Sequence, residues 1–306
     1  MPSGYDKPLY LLPFDHRNSY VTEMFHLKLP LDDAQQARVE DSKQLIYEGF
    51  LAALAKDVPT ASAGVLVDEE FGKKILRDAH QHGYATALSV ERSGSDEFQF
   101  EYGEQFVEHI EAFDPTFVKV LVRYNPEGDA AMNQRQAERL KKVSDYCRRA
   151  DRLMMFELLV PATDAQLASV AGNKDSYDAT LRPRLMLGAI AALQAAGVEP
   201  AVWKIEGLDS TDDCRRVVQQ VRRDGREHVS CIVLGRGADE QKVIGWLATA
   251  AQVEGFIGFA VGRTSFFDAV ADFEAGKVTR VEAADRIAKR FATWAAIFEQ
   301  GRTARA

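Results

Sequence analysis

Residues 117–125 read FVKVLVRYN, an apolar run in which two cations stand four positions apart. Side chains of a β-strand point alternately to opposite faces, so the three valines share one face while Lys119, Leu121 and Arg123 share the other. Lysine is almost never fully buried unless it is paired. The run therefore predicts a strand with one apolar face and one face whose charges need an explanation.

Seven similar apolar runs occur along the chain, each followed by turn or capping residues and then by a segment with helical spacing. Strands that alternate with helices pair in parallel through right-handed crossovers, because tight hairpins cannot join parallel strands. Eight such units in 306 residues favour an α/β fold, a closed (β/α)8 or TIM barrel, over an open doubly wound sheet. We expect one domain over 1–306, with strands at 8–14, 63–67, 85–90, 117–122, 153–159, 201–205, 229–234 and 257–261.

Helical spacing of apolar residues fills the intervals between the strands. The longest crossover is the first, and its residues 18–30 are either a lid over one barrel end or a packed excursion. We expect helices at 33–55, 69–82, 103–113, 135–150, 183–196, 210–224, 239–252 and 280–298.

The composition excludes several classes of function. A net charge of -8 argues against general attraction to nucleic acid or to anionic membranes. The N-terminus has no signal-peptide pattern, and no apolar stretch reaches membrane-spanning length. Cys147, Cys214 and Cys231 have no CxxC spacing and are expected to be reduced packing residues. The predicted location is the cytoplasm, and we expect no cofactor. We also expect no metal, because histidines are few and not clustered.

Two further strands and the end of a third carry charges to the barrel interior. In a barrel one strand face looks inward and the other meets the helices. The run AVWKIEGL at 201–208 places Lys204 inward, and LMMFELLV at 153–160 does the same for Glu157. Asp15 follows the first strand on its inward face. A structural explanation is an ion-pair network with Glu157 between two lysines, but such networks are costly and usually dispensable. We therefore favour a functional role for these groups.

The chemistry that these residues allow is Schiff-base catalysis. Burial and a neighbouring ammonium group both lower the pKa of a lysine, leaving an amine that can attack a carbonyl. An inward carboxylate such as Glu157 can move the protons that carbon–carbon cleavage requires. Either Lys204 or Lys119 could be the nucleophile. We choose Lys204, with Lys119 lowering its pKa, partly on the resemblance described below.

Glycine and arginine follow the last two strands. The seventh continues as VLGRGAD, with Gly235, Arg236 and Gly237, and the eighth as FAVGRTSF, with Gly262 and Arg263. The corresponding loops of barrels frequently hold a phosphate against backbone N–H groups. The alternative is that the glycines only make turns and that the arginines are solvated.

Other polar residues lie at strand ends. Asp15, His16 and Arg17 follow the first strand and could orient a hydroxyl or carboxylate. We assign Arg17 to substrate binding, together with Arg123, which ends the fourth strand on its inward face. For Glu91, Arg92 and Asn125 a place on the surface is at least as well supported.

Six segments in this order carry a resemblance to a known family: LLPFDHRNSY, FVKVLVRYNP, FELLVPAT, WKIEGL, VLGRGAD and GFAVGRTSF. The chain resembles the aldolase-like domain that follows 5-dehydro-2-deoxygluconokinase in bacterial fusion proteins of inositol catabolism. More distantly it is similar to the class I tagatose-bisphosphate and sulfofructose-phosphate aldolases.

The resemblance implies roles for particular residues. The Schiff-base lysine of those aldolases corresponds to Lys204, their strand-four lysine to Lys119 and their strand-five glutamate to Glu157. Their Asp-Gln-Arg opening matches Asp15 and Arg17, but this chain has His16 where those aldolases have glutamine. Their phosphate-binding Gly-Arg matches residues 262 and 263.

We therefore expect a lyase, a class I aldolase acting on a phosphorylated keto sugar or sugar acid. The resemblance suggests cleavage of 2-deoxy-5-keto-gluconate 6-phosphate to dihydroxyacetone phosphate and malonate semialdehyde. The expected partner is this small molecule, and a homo-oligomer is compatible with the sequence. Two alternatives are a metal-dependent sugar-phosphate lyase or isomerase that uses Glu157 or Asp15, and a non-catalytic sugar-phosphate binding or regulatory barrel.

Overall fold

Eight parallel strands form one closed sheet. A computed structural model describes residues 4–56 and 58–305 of the chain, and within them the strands pair in sequence order, with the first closing against the last. The predicted (β/α)8 barrel is confirmed, and each strand end lies within one residue of its expected position. The strands are β1 (Leu9–Pro13), β2 (Ala63–Val67), β3 (Ala85–Ser89), β4 (Phe117–Arg123), β5 (Leu153–Leu159), β6 (Val202–Glu206), β7 (Ser230–Leu234) and β8 (Phe256–Ala260).

The helices surround this sheet, and none in the described ranges is long and apolar enough to cross a membrane. Short 3₁₀ turns at Thr60–Ser62 and Gly103–Gln105 precede β2 and α4. The helices are α1 (Asn18–Met24), α2 (Asp33–Leu54), α3 (Glu69–Gln81), α4 (Phe106–Phe113), α5 (Ala130–Arg149), α6 (Asp164–Ser169), α7 (Lys174–Thr180), α8 (Arg182–Ala195), α9 (Thr211–Val221), α10 (Glu240–Ala251), α11 (Arg263–Glu274) and α12 (Arg280–Ala304).

Most long helices begin at a side-chain cap, and the predicted helix starts are correct to within one residue except for α4 and α5, which begin at 106 and 130 and not at 103 and 135. Asp68, Asp129, Ser210, Asp239 and Thr279 each accept a hydrogen bond from the backbone N–H three residues on. Helix α11 was not predicted. Its N-cap is a glycine without a side-chain hydrogen bond, so the usual start signal is missing.

The segment 18–30 is packed against the barrel in its first part, whereas residues 28–30 are exposed. Its first part forms α1, whose Tyr20 and Val21 are buried, and Phe25 joins the same core. The Tyr20 hydroxyl lies 3.0 Å from the Ser42 hydroxyl of α2. These contacts attach the segment to the barrel wall and place its start beside the end of β1.

The apolar core has two parts. The larger part lies between the sheet and the helices, as alternation requires. The smaller part fills the barrel interior near the amino ends of the strands and includes Leu11, Phe117, Met155, Val202 and Ile232. Because this inner core fills one end of the barrel, the charged residues are confined to the other end.

The three cysteines are buried and free, as predicted. Burial raises the pKa of the Cys147 and Cys214 thiols to about 12, although a nearby arginine opposes the increase in each case. Their thiolate forms are therefore scarce near neutral pH, so packing explains both residues.

Candidate active site

The barrel interior changes from apolar to charged within two residues. Met155 of β5 pairs with Val202 of β6 in the inner core. Two residues further along these strands, Glu157 pairs with Lys204. The backbone of Lys119 in β4 lies beside Met155, one layer below Glu157 and Lys204. Alternation predicted the inward direction of all three charged side chains, and the structure brings them into contact.

Lys119 is surrounded by carboxylates. Its Nζ lies 2.7 Å from Asp15, 2.8 Å from Glu91 and 2.9 Å from Glu157, and the side chain is fully buried. Burial alone lowers the pKa of this lysine, but the three carboxylates outweigh burial and raise it above the ordinary value. Lys119 therefore remains an ammonium group, which is the state that its expected role beside Lys204 requires.

Glu157 joins the two lysines. One carboxylate oxygen contacts Lys119 and the other contacts the Nζ of Lys204. Burial raises the pKa of Glu157, but Lys119 and Lys204 together lower it, so this carboxyl group is ionised. Lys204 is 4% exposed, whereas Lys119 is 0% exposed, and only Lys204 reaches the cavity above.

Asp15 and Glu91 complete the network from β1 and β3. Asp15 also accepts a hydrogen bond of 2.6 Å from the Ser89 hydroxyl, and Lys119, His16 and Lys204 lower its pKa despite the opposing effect of burial. The sequence does not decide whether Glu91 lies at the surface or at the site, and the structure shows that it is buried. Its position gave a usable signal, since Ala87, Ser89 and Glu91 alternate along one strand line and Ala87 lies in the inner core.

Above these residues lies a cavity of about 420 Å³ at the carboxyl ends of the strands. This is within the usual size of a small-molecule site. Lys119 lies below the cavity floor and does not line it. The other ten predicted site residues do: Asp15, Arg17, Arg123, Glu157, Lys204, Gly235, Arg236, Gly237, Gly262 and Arg263.

Arg236 and Arg263, the predicted phosphate ligands, are both paired within the protein. Arg236 donates to Asp178 of α7 at 3.0 Å and to Glu206 at 2.9 Å. Arg263 contacts Glu23 of α1. Both guanidinium groups remain at the cavity, but each must share its charge with a carboxylate if an anion binds.

Arg17 is also paired and is buried. It donates to Glu101 at 2.9 Å and to the Glu91 carbonyl at 2.5 Å. These bonds tie the end of β1 to the loop after β3. The sequence assigned Arg17 to substrate binding, and its observed contacts hold that loop in place.

The glycines that line the cavity are required for different geometric reasons. A Cβ on Gly262 would lie 2.4 Å from the Pro13 carbonyl oxygen, so only glycine lets β8 and β1 approach at this point. Gly237 has a φ of 66°, in the left-handed region. Arg236 is left-handed as well, with a φ of 49°, and its two carboxylate partners hold it there.

His16, which the sequence places where it could orient a hydroxyl or carboxylate, lines the cavity. Its Nδ1 is buried and has no hydrogen-bond partner in the described part of the chain. Burial lowers its pKa, and the carboxylates of Asp15 and Glu157 oppose this effect. Lys43 of α2 fixes the His16 backbone by donating to its carbonyl at 3.0 Å.

The donor set does not suggest a metal centre. Among residues 4–56 and 58–305, no group of three or more histidine, cysteine, aspartate or glutamate side chains could hold a metal ion. The carboxylates of Asp15, Glu91 and Glu157 instead surround the ammonium group of Lys119.

The fold is similar to that of solved proteins. Fructose-bisphosphate aldolase from Plasmodium falciparum, solved with TRAP and a small-molecule inhibitor, superposes with a TM-score of 0.68 at 12% identity, covering 95% of this chain and 90% of that chain. Cgl0159 from Corynebacterium glutamicum (Brevibacterium flavum) gives a TM-score of 0.56 at 19% identity, covering 96% and 88%. At these identities the likeness establishes the fold and not the reaction.

Two further comparisons concern the sequence itself. Comparison with curated proteins gives no match. Residues 4–302 match the family described as "Uncharacterized protein conserved in bacteria (DUF2090)". Since this match spans nearly the whole sequence, the chain belongs to the DUF2090 family.

Proposed function

We propose that this protein is a class I aldolase that cleaves a phosphorylated keto sugar or sugar acid through an imine on Lys204. One observation carries the proposal: the Lys204 amine contacts the Glu157 carboxylate at the floor of the cavity, directly above an apolar core. A nucleophile with an adjacent proton acceptor is the arrangement that covalent catalysis requires.

The steps follow from the positions of these two groups. Glu157 takes a proton from the Lys204 ammonium, and the free amine attacks the substrate ketone to give a carbinolamine. Glu157 returns the proton to the carbinolamine hydroxyl, which leaves as water and gives a protonated imine. A carboxylate then removes the proton of the substrate hydroxyl, the carbon–carbon bond breaks and its electrons move onto the imine as an enamine. Protonation of the enamine and addition of water release the second product and free Lys204.

The observed charges support Lys204 rather than Lys119 as the nucleophile. Three carboxylates hold the Lys119 ammonium, and its raised pKa leaves its lone pair unavailable. Lys204 contacts one carboxylate and opens onto the cavity. Lys119 then serves as a fixed positive charge, which keeps Glu157 ionised and ready to accept a proton.

We place the substrate phosphate at the loops after β7 and β8. Helix α11 begins at Arg263 directly after Gly262, and the free N–H groups at a helix start favour an anion. Arg263 and Arg236 add positive charge beside them. The family resemblance suggests 2-deoxy-5-keto-gluconate 6-phosphate as substrate, with dihydroxyacetone phosphate and malonate semialdehyde as products.

The test is a cleavage assay with 2-deoxy-5-keto-gluconate 6-phosphate, in which triose phosphate is followed by its enzymatic reduction. We expect turnover by the wild type with or without a chelator, loss of turnover in Lys204→Met, and full turnover in the control Lys277→Met, which removes an exposed lysine. Turnover by Lys204→Met would contradict the imine. Loss with chelator and recovery with Mg²⁺ would favour the metal-dependent alternative, and saturable binding without turnover would favour the non-catalytic one.

A further inference from the structure

A second group of buried charges lies beside the active site, at the carboxyl ends of β6 and β7. Asp178 of α7 is 5% exposed, Glu206 of β6 is 3% exposed and Arg182 of α8 is 1% exposed. Arg182 donates to Asp178 and to the Gly207 carbonyl, each at 2.9 Å. It also lies 4.0 Å from Glu206. Two carboxylates thus face one buried cation, and Arg236 supplies the second cation from the cavity side.

This charge balance keeps Arg236 in its observed position. Burial raises the pKa of Asp178, but Arg236 and Arg182 lower it below the ordinary value, so the carboxyl group is ionised. If Arg236 moved away to an anion in the cavity, the two buried carboxylates would have to share Arg182, which is unfavourable in a buried site. An anion must therefore meet Arg236 while this arginine keeps its carboxylate partners.

The carboxylates occupy only one end of the Arg236 guanidinium group. Nη1 and Nη2 donate to the two carboxylate oxygens of Asp178, and Nη1 also donates to Glu206. A guanidinium group has five N–H bonds. The remaining two, on Nε and Nη2, lie parallel along the other edge and form no hydrogen bond with residues 4–56 or 58–305. Such an edge is a two-pronged donor that matches a phosphate group.

The backbone at Arg236 depends on the same contacts. Its φ of 49° is left-handed, and that of Gly237 is 66°. A residue other than glycine keeps such a conformation only when its surroundings hold it there. Asp178 does so from α7, a helix that is fixed in turn because the Tyr177 hydroxyl donates to the Val160 carbonyl at 2.8 Å, just after β5. The position of α7 therefore determines the direction of the Arg236 side chain.

We infer that Asp178 is a positioning residue, which holds Arg236 so that its free edge donates two parallel hydrogen bonds to the substrate phosphate. Asp178 is not among the residues that line the cavity, so it acts through Arg236. Glu206 and Arg182 balance the charges of this pair. The inference rests on the proposed function for the place of the phosphate at the loops after β7 and β8.

A different role for Asp178 predicts the opposite result. If this carboxylate only neutralised Arg236, its removal would leave more positive charge beside the cavity and would tighten the binding of an anion. If it positions Arg236, Asp178→Asn removes one charged partner and lets the guanidinium group turn away from the ligand. Anion binding should then weaken, although the site has become more positive.

Glucitol 6-phosphate provides the test, because it carries a phosphate group and no carbonyl and therefore cannot form an imine. We expect titration calorimetry at fixed ionic strength to show binding to the wild type, weakened about tenfold to a hundredfold in Asp178→Asn. The matched control Asp175→Asn removes the same charge from an exposed position on α7 and should leave the Kd unchanged.

Arg236→Lys tests the edge itself, since it keeps the charge and loses the fork. It should weaken the binding of glucitol 6-phosphate about as much as Asp178→Asn does. The double variant should bind no more weakly than either single variant, because both changes remove the same contact.

A kinetic measurement separates positioning from general damage to the fold. In the cleavage assay Asp178→Asn should raise KM by about the factor found for binding and leave kcat nearly unchanged, because Lys204 and Glu157 keep their contact. A fall in kcat with an unchanged KM would contradict the positioning of a binding group.

Three binding results would overturn the inference: no binding of glucitol 6-phosphate to the wild type, unchanged or tighter binding in Asp178→Asn, or wild-type affinity in Arg236→Lys. The Arg236→Lys result stands alone if Asp178→Asn does not fold. Failure to find an imine on Lys204 would refute the proposed reaction and leave these binding results valid.

Discussion

Replacing Lys119 by methionine should destabilise the protein far more than the same change at Lys204. Lys119→Met leaves the carboxylates of Asp15, Glu91 and Glu157 around a site that held an ammonium group at 2.7, 2.8 and 2.9 Å. Removing one partner of a buried ion pair costs about 3–5 kcal/mol. Because three partners are left, we expect a loss near the upper figure at pH 7.

The control, Lys204→Met, leaves Glu157 with its contact to Lys119. No buried carboxylate then loses its last cation, so we expect less than half the loss seen for Lys119→Met. Both variants replace lysine by an unbranched side chain of similar length, which keeps the packing comparable.

The loss in Lys119→Met should also depend on pH. In the wild type the lowered pKa values of Asp15 and Glu157 give stability above the pKa values of the unfolded chain, and this stability is lost as pH falls. Without Lys119, burial raises the pKa of these carboxyl groups, so the folded variant binds protons more readily than the unfolded chain. The difference in unfolding free energy between variant and wild type should therefore shrink between pH 7 and pH 5. Each carboxyl group whose pKa in the folded variant exceeds the assay pH contributes about 1.4 kcal/mol to this change for every pH unit of the excess.

The assay is urea unfolding at equilibrium, followed by far-UV circular dichroism at pH 7 and pH 5. A loss below about 1 kcal/mol for Lys119→Met at pH 7, the range of exposed ion pairs, would refute the inferred burial of this charge. An equal loss for both variants, or a loss that grows at pH 5, would refute the assignment of Lys119 as the fixed charge.

Two further substitutions test single contacts. Glu157→Gln removes the proton acceptor while keeping the shape, so kcat in the cleavage assay should fall by about a hundredfold to ten-thousandfold, and a fall of less than tenfold would exclude Glu157 as the acid–base group. Gly262→Ala puts a Cβ 2.4 Å from the Pro13 carbonyl oxygen and should cost about 1–3 kcal/mol of unfolding free energy. Gly245→Ala in α10 meets no atom within 4 Å and should instead gain about 0.5–1 kcal/mol; equal effects of the two changes in urea unfolding would contradict the close approach of β8 and β1.

The sequence was sufficient for the barrel and for the direction of its charged side chains. Alternation in β4, β5 and β6 depends only on the backbone, so Lys119, Glu157 and Lys204 could be assigned to one interior before any coordinates. The same rule, extended along β3, indicates that Glu91 also points inward, although its place was left undecided.

The pairing of the cavity arginines could not be predicted. Arg236 meets Asp178, and Arg263 meets Glu23, across many residues of sequence and from short helices that the pattern did not reveal. The sign of the pKa change at Lys119 could not be predicted for a similar reason. Burial was predictable, but the number of carboxylates that oppose it depends on three different strand ends.

The most direct test of the proposed reaction is borohydride reduction in the presence of 2-deoxy-5-keto-gluconate 6-phosphate, followed by peptide mass spectrometry. Reduction converts an imine into a stable secondary amine on the lysine that formed it. We predict one adduct per chain, on the peptide that contains Lys204, and no adduct in Lys204→Met. An adduct on Lys119, or no adduct on any lysine while turnover continues, would contradict the assignment of Lys204 as the Schiff-base residue.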